Sequence, residues 1–197
     1  DEEGQAELFA AQADVAMKNL VLTLGLLGAV VGAVIGLAGG VRDRSFGRGV
    51  VGLLLGLVLG GGLAVASAYL GQEIGARIDA SMPHTAAFHT RQYGKMLRTL
   101  AVHATFWGLI GLAAALAATL PTRRIGLMLK SVLGAIIAAI LAMMVYQALL
   151  GNLFQVSRFE LLLPQEIGPI VAWTLPASVL IGVAIGRLSV PRQKKTA

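Results

Sequence analysis

The chain has 197 residues, 56% hydrophobic and only 13% charged, about half the charged share of an ordinary soluble domain. Its mean hydropathy is +0.78, its formal net charge is +6, and it holds 25 glycines and no cysteine. Several apolar runs of about 20 residues cannot all hide in one core of this size, which excludes a soluble globular protein; the absence of cysteine excludes disulfides, thiolate metal sites and cysteine nucleophiles.

Residues 1–19 form an acidic segment that opens "DEEGQAE", the kind of start a removed secretory signal leaves. The first apolar run extends from about Leu20 to Gly40. Within it "GAVVGAVIGLAGG" sets Gly28, Gly32, Gly36 and Gly40 every fourth residue. A basic turn with Arg42, Arg44 and Arg48 leads into a second run from Gly49 to about Gly71. There Gly52, Gly56 and Gly60 continue the spacing, followed by Ala64 and Ala68. In lipid, apolar side chains do not drive helices together; close backbone approach does, and small residues four apart make a smooth stripe for it. Residues 20–71 therefore read as a tightly packed antiparallel hairpin. The same stripe would also serve as a surface for a second copy, or as a flat groove for a lipid tail, quinone or pigment. "LGGGLAVASA" is richer in small residues than one partner needs, so the second helix is expected to have a further contact face.

Residues 72–99 read as an external loop divided by Pro83. After it, Phe88, Tyr93, Met96, Leu97 and Leu100 share one helical face, while Arg91, Lys95 and Arg98 take another. This pattern predicts an interfacial amphipathic helix feeding the third span, with a basic stripe suited to anionic lipid heads or an acidic partner. All three histidines lie in this part of the chain. His84 and His89, near Met82 and Met96, are metal ligands by type, and His103, ahead of Phe106 and Trp107, has the setting of an axial haem or chlorophyll ligand.

Residues 100–150 hold two more apolar runs, about Leu100 to Leu120 and Leu127 to Leu150, joined through Arg123 and Arg124. Residues 151–168 form a second external loop with Glu160 and Glu166. A fifth helix crosses at 169–188, with Pro169 in its first turn and Pro176 inside it, and a basic tail occupies 189–197. Trp107, Tyr146 and Trp173 near the outer ends read as interfacial anchors. "RGVVGLLLGLVLG" from Arg48 aligns with "KSVLGAIIAAILA" from Lys130, and Gly28 aligns with Gly111, so the two hairpins look like a parallel repeat.

The runs lack the alternation of barrel strands, so the fold class is an all-α integral membrane protein of five transmembrane helices: two glycine- and alanine-rich hairpins plus a C-terminal helix. Lys and Arg concentrate in the two hairpin turns and the tail. The positive-inside rule then sets the N-terminus outside and the C-terminus in the cytoplasm. No Asp, Glu, Lys or Arg lies well inside a span, which argues against a proton-coupled pump or a carrier of charged ions. No Ser/His/Asp order, carboxylate pair or phosphate loop is readable.

The small-residue stripes of residues 20–71 resemble the uncharacterised glycine-zipper membrane proteins found in many bacteria. The glycine-rich helical units also resemble those of the mitochondrial inner-membrane translocase family, without a motif that maps residue by residue. These features lead to the expectation of a non-enzymatic accessory subunit of a bacterial inner-membrane complex, with other membrane subunits and lipids as partners and no nucleic acid. A homo-oligomeric pore or small-solute channel is the first alternative. The second is a membrane subunit that binds haem, pigment or metal through His103 or the His84/His89 pair. Lipid is the expected bound molecule, with a tetrapyrrole or metal under that second alternative.

Overall fold

The computed structural model describes residues 2–82, 88–149, 163–164 and 167–188, the side chains at 2, 3 and 88–92 excepted. Five helices follow in order: α1 (Glu2–Arg42), α2 (Phe46–Ser81), α3 (Phe88–Thr119), α4 (Ile125–Leu149) and α5 (Ile167–Leu188). A 3-10 turn at Leu120–Thr122 closes α3. There is no strand among the described residues, and each of the five helices is long and apolar enough to cross a membrane. The chain is an all-α, multi-pass membrane protein.

Helix α3 is the centre of the bundle. It packs against α1 and α2 on one side and against α4 on the other, while α5 lies mainly on α4. Leu20, Leu24, Phe106, Ile110, Met143 and Ile181 fill the space between the helices, and alanines of α3 and α4 let the backbones approach. Large aliphatic residues point the other way: Leu26, Val30 and Val34 of α1, Leu133 and Ile137 of α4, and Val179 of α5 are exposed. This inside-out distribution is what a lipid solvent allows, because a leucine facing acyl chains has no water to escape from.

The α1–α2 turn is built by backbone hydrogen bonds. Ser45 N–H donates to Gly40 O at 3.0 Å and Arg44 N–H to Val41 O at 3.0 Å, the paired bonds of a Schellman cap. Arg44 holds the left-handed position at φ 50°, and Arg123 does the same at φ 55° in the α3–α4 turn. Glycine is the usual residue there, because an L side chain crowds its own carbonyl.

Helices α1, α2 and α3 are longer than one bilayer crossing needs. Twenty helical residues cover about 30 Å. Against the span from Leu20 to Gly40, residues 2–19 of α1 therefore add about 27 Å. Residues 72–81 of α2 and 88–99 of α3 rise beside each other. Asp79 Oδ2 lies 2.9 Å from Arg98 Nε, Gly75 faces Arg98 and Val102, and Gly94 faces the Met82 sulfur. One expectation is corrected here: residues 72–81, read as loop, are the last turns of α2, and the helix that starts at Phe88 runs into α3 without a break.

Candidate functional site

The glycine stripes of α1 and α2 face each other. Gly28 meets the Gly60 carbonyl and the Ala64 methyl, Gly32 meets Gly56, Gly36 meets Gly52, and Gly40 meets Gly49. A Cβ built on any of Gly28, Gly32, Gly36, Gly52, Gly56 or Gly60 would overlap a backbone carbonyl of the opposite helix. Two helices in such contact gain dispersion along the whole seam, which is the main attraction available inside lipid. Spacing in fours points to seven of these glycines but misses Gly49, which is three residues before Gly52. The turn geometry brings Gly49 under Gly40, and the only advance signal was its place just after the basic turn.

Helix α2 has a second small-residue face. Ser67, Ala68, Gly71 and Gly75 are buried, and Gly71 receives the Phe106 ring of α3. Gly39 of α1 reaches α3 as well, 3.1 Å from Ala118 O by its built Cβ. Gly111, aligned by the sequence repeat with Gly28, faces Ala135 of α4. The partner of Gly28 is Gly60, whose counterpart in the repeat is Ala142, about two turns away from Ala135. The two hairpins thus share direction but not packing register.

His103 is buried in a cluster of rings from three helices. Its centroid lies 5.8 Å from Phe106, 5.6 Å from Tyr146 and 5.7 Å from Trp173, and Trp107 meets Trp173 edge-on at 5.3 Å. Such pairs contribute roughly 0.5–1.5 kcal/mol each beyond their buried area. Trp107 and Trp173 are 0% and 3% exposed, so they are core residues, not the interfacial anchors their positions in the sequence predict. Neither indole N–H has a hydrogen-bond acceptor, and the same holds for the Gln147 carboxamide.

Among the described residues no group of three or more His, Asp or Glu is placed to hold a metal ion. His84 lies outside the described residues, as do the side chains of His89 and Arg91. Lys95 is exposed, and Arg98 is half-buried beside Asp79. No family model, curated protein or solved structure matches this chain.

Proposed function

We propose that the chain is a non-enzymatic structural subunit of a larger complex in the bacterial inner membrane, with its N-terminus outside and its C-terminus in the cytoplasm. The observation that carries this reading is the exposure of residues 4–16 of α1. From Gly4 to Ala16 the helix is exposed on every side, with Leu8, Phe9 and Val15 at 58%, 67% and 56%. A single helix of this length gains little stability in water by itself, and contiguous exposed apolar residues mark a surface that another molecule covers. Its local support is slight. Asp14 Oδ2 lies 2.6 Å from Lys18 Nζ, and that hydrogen bond holds the Lys18 ammonium above the usual lysine range.

The glycine seam supports the same reading. Because α1 and α2 use it on each other, it builds a stiff hairpin and leaves the protruding helix as the surface for a partner. The orientation rests on charge. Arg42, Arg44, Arg48, Arg123 and Arg124 crowd the two short turns on the opposite side. Two of them hold backbone positions that glycine would occupy at lower cost, as expected where the charge itself is needed.

Purification from native membranes in mild detergent, with mass spectrometry of the intact particle, tests the proposal. Other membrane proteins are expected in fixed ratio with the wild-type chain. The triple variant Leu8→Glu, Phe9→Glu, Val15→Glu is expected to lose them while its own bundle unfolds at the wild-type temperature. A wild-type chain that purifies only with copies of itself overturns the reading.

A further inference from the structure

Among the described residues, no helix covers one face of α3 from about Ala101 to Leu112. Around this helix, Phe106 meets Gly71 of α2, Ala118 meets Gly39 of α1, and Gly111 meets Ala135 of α4. The arc that remains, between α2 and α4, carries Ala101, Thr105, Gly108 and Leu112, spaced by four, three and four and therefore stacked on one side. All four are partly exposed, and the Thr105 hydroxyl donates back to Ala101 O at 2.8 Å, so its polar group is satisfied within α3. Nothing stands within 4 Å of a Cβ built at Gly108. The result is a shallow groove floored by α3, walled by α2 and α4, and notched at Gly108.

Two polar features cap this groove, and each points to a ligand. Arg98 is three residues above Ala101 on the same stripe, with Lys95 beside it, just outside the span that begins at Leu100. Arg98 Nε is buried and ion-paired with Asp79 Oδ2 at 2.9 Å, which holds the guanidinium in place while its side chain stays 28% exposed. Below it is Gln147 of α4. Its carboxamide nitrogen and oxygen are both buried and neither has a hydrogen-bond partner. Gly134 turns toward Leu188 of α5 and Ala135 toward Gly111 of α3. By helical register Gln147 then falls on the flank of α4 away from α5, on the groove side. The Tyr146–His103 contact sets it level with residues 101–105, between Arg98 and Gly108.

We propose that this groove binds one anionic glycerophospholipid. The phosphate sits at Arg98 and Lys95, an ester carbonyl accepts from the Gln147 amide, and an acyl chain lies along Ala101, Gly108 and Leu112. The order of the groups down α3 and α4 is the order of the groups down such a lipid: charge at the surface, a hydrogen-bonding group beneath it, then an apolar channel. An unpaired buried amide is costly, and a lipid carbonyl at that depth relieves the cost. The basic pair selects an anionic head over a zwitterionic one. This site does not depend on the chain being a subunit of a larger complex.

Native mass spectrometry of the full chain in detergent tests it, with titration by phosphatidylglycerol and by phosphatidylcholine of identical acyl chains. One retained lipid is expected, with phosphatidylglycerol favoured about tenfold. Gly108→Leu projects a side chain into the notch from a position where a Cβ meets nothing within 4 Å. It is expected to lower phosphatidylglycerol retention about tenfold with the thermal unfolding of the bundle unchanged. Gln147→Leu should weaken both lipids, and Arg98→Gln should remove the preference between them. Retention unchanged in Gly108→Leu, equal retention of the two lipids by the wild type, or displacement by excess inorganic phosphate would each overturn the proposal, the last by showing a site for a free ion.

Discussion

Gly32 of α1 and Gly56 of α2 face each other so closely that neither has room for a methyl group. A Cβ on either would overlap the carbonyl oxygen of the other. Gly32→Ala is therefore expected to force the helices apart and lower stability by about 2 kcal/mol, the usual cost of overpacking. Gly62 of the same helix has nothing within 4 Å of its built Cβ. Gly62→Ala should be neutral or stabilise by about 0.5 kcal/mol, since alanine loses less backbone entropy in a helix. Reversible unfolding of both variants in detergent checks the pair. Equal effects at the two positions would remove the close-contact account of the seam.

Arg44 holds a left-handed backbone position at the α1–α2 turn. Arg44→Gly relieves the crowding of its Cβ and is expected to raise stability by about 1 kcal/mol. The same change removes one charge from the turn that sets orientation. Thermal unfolding should move up, while glycosylation mapping of the termini should show a larger misoriented fraction.

Trp107 has no acceptor for its indole N–H although it is fully buried. Trp107→Phe removes the unpaired donor while keeping most of the ring, and is expected to change stability by less than about 1 kcal/mol. Trp107→Ala leaves a cavity against Trp173 and should cost about 3–5 kcal/mol. If Trp107→Phe proves as damaging as Trp107→Ala, a partner for the indole exists that the packed helices do not supply.

Residues 4–16 of α1 are exposed among the described residues. Deletion of residues 2–16 is expected to leave the unfolding temperature of the bundle within the range of a surface change, about 0.5 kcal/mol. Differential scanning calorimetry of the shortened chain reads this directly. A large fall would place part of the extension in the packed core.

Much of the membrane architecture was legible in the sequence because hydropathy and spacing are local. The five apolar runs, their helical nature and the stripe at Gly28, Gly32, Gly36 and Gly40 follow from composition and the 3.6-residue period. The amphipathic helix after Pro83 was legible, but the extension of α2 through residues 72–81 was not, since that stretch is polar enough to pass for a loop and packs as helix beside α3. Trp107 and Trp173 misled in the opposite sense. Tryptophan near the end of a span usually marks the interface, but here the faces of α3 and α5 turn both rings inward around His103.

By itself the sequence determined what each helix is and which of its faces is small, because those properties belong to single segments. The tertiary structure decided which faces meet. It set Gly32 on Gly56, moved the second hairpin about two turns out of the register its repeat implies, buried His103 among three rings, and left residues 4–16 of α1 and the position beside Gly108 exposed among the described residues. The physical reason is that in lipid every apolar face is equally soluble. Contact is settled by shape, by how closely two particular backbones can approach, and shape between helices is not a property of either one alone.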